Sequence, residues 1–300
     1  MSSYFTQFEI PSDNLIKNSI EYGDDFRAKL SFFEENEYYP IGLFSDGLHL
    51  EFSPLTILYG NNGSGKSTIL NLIAEKMNIG RRTQINNSPF FSFFAQHCTL
   101  AIHSDFDDID KKCDIITSDD VFRHCFEVRN INNDIGKEQN SLINSAFKKR
   151  AEMAFGTYKI SPLRGMDDFA RWSQDYDDKK RLKKSSSAYI KKYASHFLKP
   201  NSNGETALEF FLSKIDGAGV YLLDEPENSL SPSFQLKLME FIELSLHLGI
   251  QFIIATHSPL LLGLQNAKIL NLDIDGAPEY KWDELENIKI LKHFFYQQEQ

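Results

Sequence analysis

Cysteine is scarce in this chain of 300 residues. Cys98, Cys113 and Cys125 are odd in number and form no C-x-x-C pair, which argues against both a disulfide framework and a thiolate zinc site. Long apolar runs are missing as well. No segment approaches the ~20 apolar residues of a membrane-spanning helix, so no membrane partner is expected. Met1-Ser-Ser-Tyr-Phe-Thr-Gln-Phe-Glu9 lacks the basic-then-apolar order of a secretion signal, and a cytoplasmic location is the expectation. Basic charge is in deficit, with 32 Lys and Arg against 42 Asp and Glu. The resulting net charge of −10 argues against general affinity for nucleic acid. Internal repeats and sustained heptads are absent, which excludes a long coiled-coil arm.

Aromatic and aliphatic residues are plentiful by contrast. Apolar side chains make up 41% of the chain, with 25 Phe and 12 Tyr, enough for a substantial core. The length suits one large domain or a domain with an inserted subdomain. Basic charge is concentrated in one place: residues 179–199 carry eight Lys or Arg and no acid, just after Asp167, Asp168, Asp175, Asp177 and Asp178. Two readings stay open for this stretch. It is a solvated helical face beside an acidic loop, or a contact for a phosphate backbone or acidic partner, with Tyr189 and Tyr193 able to stack on bases.

Residues 60–68 read Gly60-Asn61-Asn62-Gly63-Ser64-Gly65-Lys66-Ser67-Thr68, a complete Walker A loop. Its glycines let the backbone curl so that successive N–H groups face phosphate oxygens. Lys66 would set its charge against the β- and γ-phosphates, and the Ser67 hydroxyl would ligate Mg²⁺. The flanks fit: 55–59 reads as a buried strand and 66–78 as an apolar helix, which puts phosphate on a helix N-terminus.

The rest of the chain falls into three stretches. Residues 1–59 look β-rich, with alternation over Leu48–Phe52. Phe90–Phe94 and Asp114–Thr117 are strand candidates, and 119–200 reads as a polar, helical insertion. The last hundred residues then take up a βα rhythm. Gly219–Leu223 is a buried strand, and a helix follows with Ser231 as N-cap, Pro232 in its first turn, an apolar face of 234, 238, 241, 242 and 246, and Gly249 as its stop. Strands at 251–256 and 268–272 and a helix over 283–296 complete the pattern, which predicts an α/β core with a largely parallel sheet.

Two carboxylates, Asp224 and Glu225, close the strand at 219–223. At a strand's carboxyl end Asp224 would reach Mg²⁺, and Glu225 would orient or deprotonate the attacking water.

These residues resemble the ABC-type ATPases. Leu222-Leu-Asp-Glu-Pro-Glu-Asn-Ser-Leu-Ser-Pro232 is similar to their Walker B and D-loop, and Ala255-Thr-His257-Ser-Pro259 to their switch histidine. Ser202-Asn-Gly204-Glu205-Thr206 resembles a shortened signature, although it lacks the usual Gly-Gly-Gln and the preceding leucine. The nearest likeness is to small bacterial ATP-binding proteins of the RecF and structural-maintenance-of-chromosomes type, many of them from phage-defence or DNA-repair cassettes. The resemblance implies an α/β P-loop fold of the ABC head type. It would have a mostly parallel core sheet, an N-terminal antiparallel β subdomain and an inserted helical lobe over 119–200 of a single 1–300 domain.

The same resemblance implies ATP and Mg²⁺ as ligands, with His257 sensing the γ-phosphate. Ser202, Gly204 and Glu205 would face a partner subunit's nucleotide, and Ser229 and Ser231 would lie across the same seam, making a homodimer. Gln96 is the literal choice for the metal-contacting Q-loop glutamine, with the segment at Ser118–Asp119 as the alternative. Tyr38, Tyr39 and Phe44 are open candidates for stacking on adenine. Arg81 and Arg82 are surface arginines or phosphate contacts.

The function expected is an ATP-hydrolysing dimerisation switch. It would act on a separate effector, or on nucleic acid through Lys183, Lys184, Lys191 and Lys192, in defence or DNA repair. An ATP-sensing scaffold that restrains a toxic effector such as a nuclease is the alternative, with a transporter's nucleotide-binding subunit beside it.

Overall fold

The computed structural model describes residues 3–21, 39–80, 88, 90–106, 112–129, 203–215 and 217–298. The chain divides into two compact units, 1–124 with 202–300, and 125–201. The basic stretch at 179–199, together with Arg81, Arg82, Tyr38 and Ser202, lies outside the described residues.

In chain order the first unit opens with β1 (Phe5–Ile10), α1 (Asp13–Glu21), β2 (Leu48–Glu51) and β3 (Leu55–Tyr59). Helix α2 (Lys66–Lys76), α3 (Phe91–His97), β4 (Thr99–Ile102) and β5 (Lys112–Thr117) follow. A helix over 118–129, α4, comes next. The chain re-enters with α5 (Asn203–Lys214), β6 (Gly219–Asp224), α6 (Pro232–Leu246) and β7 (Ile250–Ala255). It closes with β8 (Lys268–Asn271), β9 (Glu279–Tyr280) and α7 (Glu286–Gln298).

The strands form two sheets. An antiparallel sheet has the order β2-β1-β4, and a six-stranded sheet has the order β5-β6-β7-β3-β8-β9. The second is parallel throughout except for the β8–β9 pair. This is the α/β architecture with a largely parallel sheet that the residues predict, together with the N-terminal antiparallel sheet that the resemblance implies. Every residue of β3 and β7 is buried, and so is all of β6 except its last. That explains why these strands read as unbroken apolar runs rather than as alternating ones.

Three local readings change. Phe90–Phe94 is not a strand. Phe90, Phe91, Phe94 and Ala95 are buried while Ser92 and Gln96 face solvent, so the burial repeats at i, i+1, i+4 and i+5 and the segment coils as α3. A strand would have buried alternate residues. Ser231 precedes α6 as expected, but its hydroxyl does not cap the helix and lies 3.0 Å from that of Ser233. Its carbonyl accepts the amides of Phe234 and Gln235 instead. The closing helix also starts later than expected, at Glu286, behind a short 3-10 turn over Trp282–Glu284.

One buried polar side chain joins the two sheets. Gln251 of β7 is fully buried. Its Oε1 accepts the amides of Tyr4 and Phe5 at 2.9 and 2.8 Å. Its Nε2 donates to the carbonyls of Phe5 and Ser53 at 2.8 and 3.0 Å. All four hydrogen-bonding positions of the amide are thereby used.

The three cysteines are free thiols. Burial pushes the Cys98 and Cys113 thiols up to about 12, so neither is a nucleophile at neutral pH.

Candidate functional site

The parallel ladder aligns the carboxyl ends of its strands: Thr117 lies beside Asp224, Asp224 beside Ala255, and Ala255 beside Leu58. The loops that leave these ends therefore share one edge of the sheet, the usual place for a ligand in an open α/β fold.

The loop after β3 turns on its glycines. Gly63 and Gly65 have φ of 87° and 93°, values that L side chains rarely adopt. Gly65 also caps α2 at close quarters, because a Cβ there would lie 2.7 Å from Cζ of Phe44. Gly65→Ala should therefore raise the Kd for ATP by at least ~10-fold, through a loop displaced from the helix N-terminus. Titration with a fluorescent ATP analogue measures this. Asn61, Asn62 and Gly63 at the loop tip are exposed, whereas Lys66 and Thr68 are buried.

Lys66 turns back over its own loop. Its Nζ donates to the carbonyls of Gly60 and Asn61 at 2.7 and 2.9 Å and lies 3.5 Å from the Ser64 hydroxyl. Burial lowers the Lys66 ammonium pKa, and the carboxylates of Glu225, Asp273, Asp224 and Glu227 oppose that shift. The Ser67 hydroxyl donates to Oδ1 of Asp224 at 2.8 Å, joining the two expected metal ligands across 157 positions of sequence. A hydroxyl and a carboxylate, both hard oxygen donors, suit Mg²⁺. The donor set fits the cofactor.

Glu225 has φ 48° and ψ 54°, the left-handed region. For a residue with a Cβ this costs ~1–2 kcal/mol, and such strain gathers at functional sites. Its amide donates to the Ala255 carbonyl at 2.9 Å, and Asn228 Nδ2 donates to its Oε2 at 2.8 Å. His257 Nε2 stands 3.2 Å from Glu225 Oε1, at ion-pair distance. Nε2 is buried and makes no hydrogen bond. Lys66, Ser67, Asp224, Glu225 and His257 are thus linked through these contacts and through the aligned strand ends.

The remaining candidates are placed differently. Gly204 and Glu205 lie in the first turn of α5, with Glu205 exposed. A Cβ on Gly204 would come within 2.5 Å of the Phe234 ring, so this glycine already has a packing role against α6. Gln96 is exposed on α3, and its carbonyl accepts Lys76 Nζ at the far end of α2 from Ser67. Ten residues of helix separate these ends by ~14 Å, so the structure does not bring Gln96 to the metal ligands. The residue that follows the strand beside Asp224 is Ser118, the alternative position. Phe44 packs in the core against Gly65, while the Tyr39 hydroxyl lies 2.6 Å from that of Thr68 and its ring stacks on Phe91.

Three participants had no role in the sequence reading. Asp273, beyond β8, accepts the Asn61 amide with both carboxylate oxygens, at 2.8 and 3.0 Å, and so pins the start of the phosphate loop. Glu227 accepts three donors from residues 256–258. Gln235 links Leu230 to Ser258. Only Glu227 carried a signal, as an extra carboxylate two residues past Glu225. The other two are ordinary polar residues whose partners lie far off in sequence.

The chain has a structural likeness to the Smc head domain with an extended coiled coil, bound to the C-terminal domain of ScpA, from Pyrococcus furiosus. That likeness has 13% identity and a TM-score of 0.39, over 97% of this chain and 99% of that one. A second is to the ATP-binding cassette MJ0796 in a dimeric post-hydrolysis state with ADP and Pi, at 17% identity and TM-score 0.34, over 79% and 90%. A third is to Stu0660 of Streptococcus thermophilus, at 14% identity and TM-score 0.39, over 76% and 72%. Among curated proteins none matches. Residues 55–263, from β3 to just past His257, match the family described as "AAA domain, putative AbiEii toxin, Type IV TA system". The chain belongs to this AAA family and is an ATPase of the P-loop type.

Proposed function

We propose that this protein is an ATP-binding and ATP-hydrolysing dimerisation switch that couples nucleotide state to a separate effector or to nucleic acid, in bacterial defence or DNA repair. The observation that carries the proposal is the convergence at one sheet edge of the Ser67–Asp224 hydrogen bond, buried Lys66, and Glu225 facing His257. The backbone of 60–68 and the Lys66 side chain bind the triphosphate. Ser67 and Asp224 hold Mg²⁺, which when bound neutralises charge on the phosphate oxygens. Glu225 accepts a proton from the attacking water, and His257 orients that water beside the terminal phosphoryl group.

Support for the dimer is the exposure of Glu205 in the first turn of α5 and of Ser231 ahead of α6. Ser202, Gly204 and Glu205 would offer polar groups and a helix N-terminus to the neighbour's terminal phosphate. The basic residues Lys183, Lys184, Lys191 and Lys192 supply a route to nucleic acid. A second reading, an ATP-sensing scaffold that restrains a toxic effector, is favoured by the toxin–antitoxin association in the family's description. Its output is release of the effector rather than turnover.

Sedimentation tests the switch. With a non-hydrolysable ATP analogue and Mg²⁺ the chain should double in mass, and with ADP or no nucleotide it should not. A chain that is monomeric in all three conditions overturns the sandwich.

A further inference from the structure

We propose that Glu227 is a positioning residue that ties the loop after β6 to the loop after β7, so that His257 moves as one body with residues 226–231. The proposal rests on the ATPase reading above and names how the sensor of that site is held. One carboxylate oxygen of Glu227, Oε1, takes donors from three consecutive residues. These are the Thr256 hydroxyl at 2.7 Å, the His257 amide at 2.7 Å and the Ser258 amide at 3.0 Å. Bonds to an ionised acceptor are short and strong, and these three fix the peptide from which the imidazole projects.

A second strap runs between the same two loops. Gln235 Nε2 donates to the Leu230 carbonyl at 3.0 Å, and its Oε1 accepts from the Ser258 hydroxyl at 2.6 Å. A third tie is the bond from the Glu225 amide to the Ala255 carbonyl. Cross-tied in this way, neither loop can shift without carrying the other.

The atoms that these ties leave over are equally telling. Among the described residues, five buried side-chain polar atoms lack a hydrogen bond, and three of them are Glu227 Oε2, Ser229 Oγ and His257 Nε2. Unpaired buried polar atoms are costly and rare. All three lie on this one pair of loops, Glu227 and Ser229 on the first and His257 on the second. A displacement of 226–231, where Ser229 lies, is then transmitted through Glu227 to His257. By linkage, what His257 senses is transmitted back.

The test uses Glu227→Ala and Glu227→Gln in the full chain, with three readouts: steady-state ATP turnover, hydrogen exchange at the His257 and Ser258 amides, and melting temperature. The glutamine variant keeps a carbonyl oxygen where the three donors converge and is the rescue. Glu227→Ala should lower kcat ~10–100-fold with KM for ATP within ~2-fold, because the chemistry and not nucleotide binding depends on the pose of His257. The two amides should exchange at least ~10-fold faster, and Glu227→Gln should bring both measures back to within ~3-fold of the parent. Gln251→Leu, a change in the core away from the nucleotide, serves as the control for lost stability alone.

Unchanged kcat alongside faster exchange overturns the proposal. So does a fall in turnover that disappears once it is expressed per folded molecule, as the control's does. A parent chain that does not turn over ATP overturns the ATPase reading instead, and the functional half of this proposal falls with it. The exchange data then decide separately whether Glu227 holds the loop.

Discussion

Glu225→Gln should lower ATP turnover ~10²–10⁴-fold, the range ascribed to a positioned general base. ATP binding and the fold should survive the change. The substitution is isosteric, so the left-handed backbone at this position and its amide bond to Ala255 are undisturbed. The side-chain bond with Asn228 also persists when the new amide presents its oxygen to Nδ2. What is lost is the basic oxygen 3.2 Å from His257 Nε2. With hydrolysis blocked and the phosphate loop intact, ATP has no route to ADP, and the nucleotide-linked dimer should accumulate as a stable species. Phosphate release measures the first effect and mass photometry the second. Retained turnover would remove Glu225 from its role. A monomer at every ATP concentration would count against the shared nucleotide site.

Gln251→Leu should destabilise the chain by ~3–5 kcal/mol, because four backbone groups lose their hydrogen bonds to the Gln251 amide while the volume stays nearly constant. The orphaned groups are the amides of Tyr4 and Phe5 and the carbonyls of Phe5 and Ser53. Against a typical total of ~5–15 kcal/mol, that is a large share of the stability. The midpoint of thermal unfolding should fall by ~10 °C, with turnover per folded molecule preserved. Circular dichroism melts read the first effect and active-site titration of the refolded protein the second. A change below ~1 kcal/mol would mean that water or backbone shifts satisfy these groups in the variant.

The P-loop ATPase class was legible in the residues because its motifs are written in short, contiguous segments. Gly60–Thr68, Asp224–Glu225 and Thr256–His257 each follow a buried apolar strand, and a strand followed by a loop places its residues at the sheet edge whatever the rest of the chain does. The parallel sheet was legible for the same reason, since strands covered on both faces read as unbroken apolar runs. The errors came where the period was ambiguous. Five residues with four phenylalanines satisfy a helix and a strand equally well, and only burial on α3 separated them. Gln96 follows that apolar run and goes with it, onto the exposed face of a helix away from Ser67 and Asp224.

What the sequence by itself determined is therefore the class, a P-loop ATPase, and the short segments that meet at one sheet edge: Gly60–Thr68, Asp224–Glu225 and His257. Only the tertiary structure decided which groups hold them. Asp273 on the Asn61 amide, Gln251 between the two sheets, and Glu227 with Gln235 beneath His257 all act on partners at least 23 residues away. The physical reason is that a backbone-bonding side chain is specified by where the chain comes together and not by its neighbours in sequence. A glutamate or glutamine looks the same whether it is solvated or satisfies three buried donors.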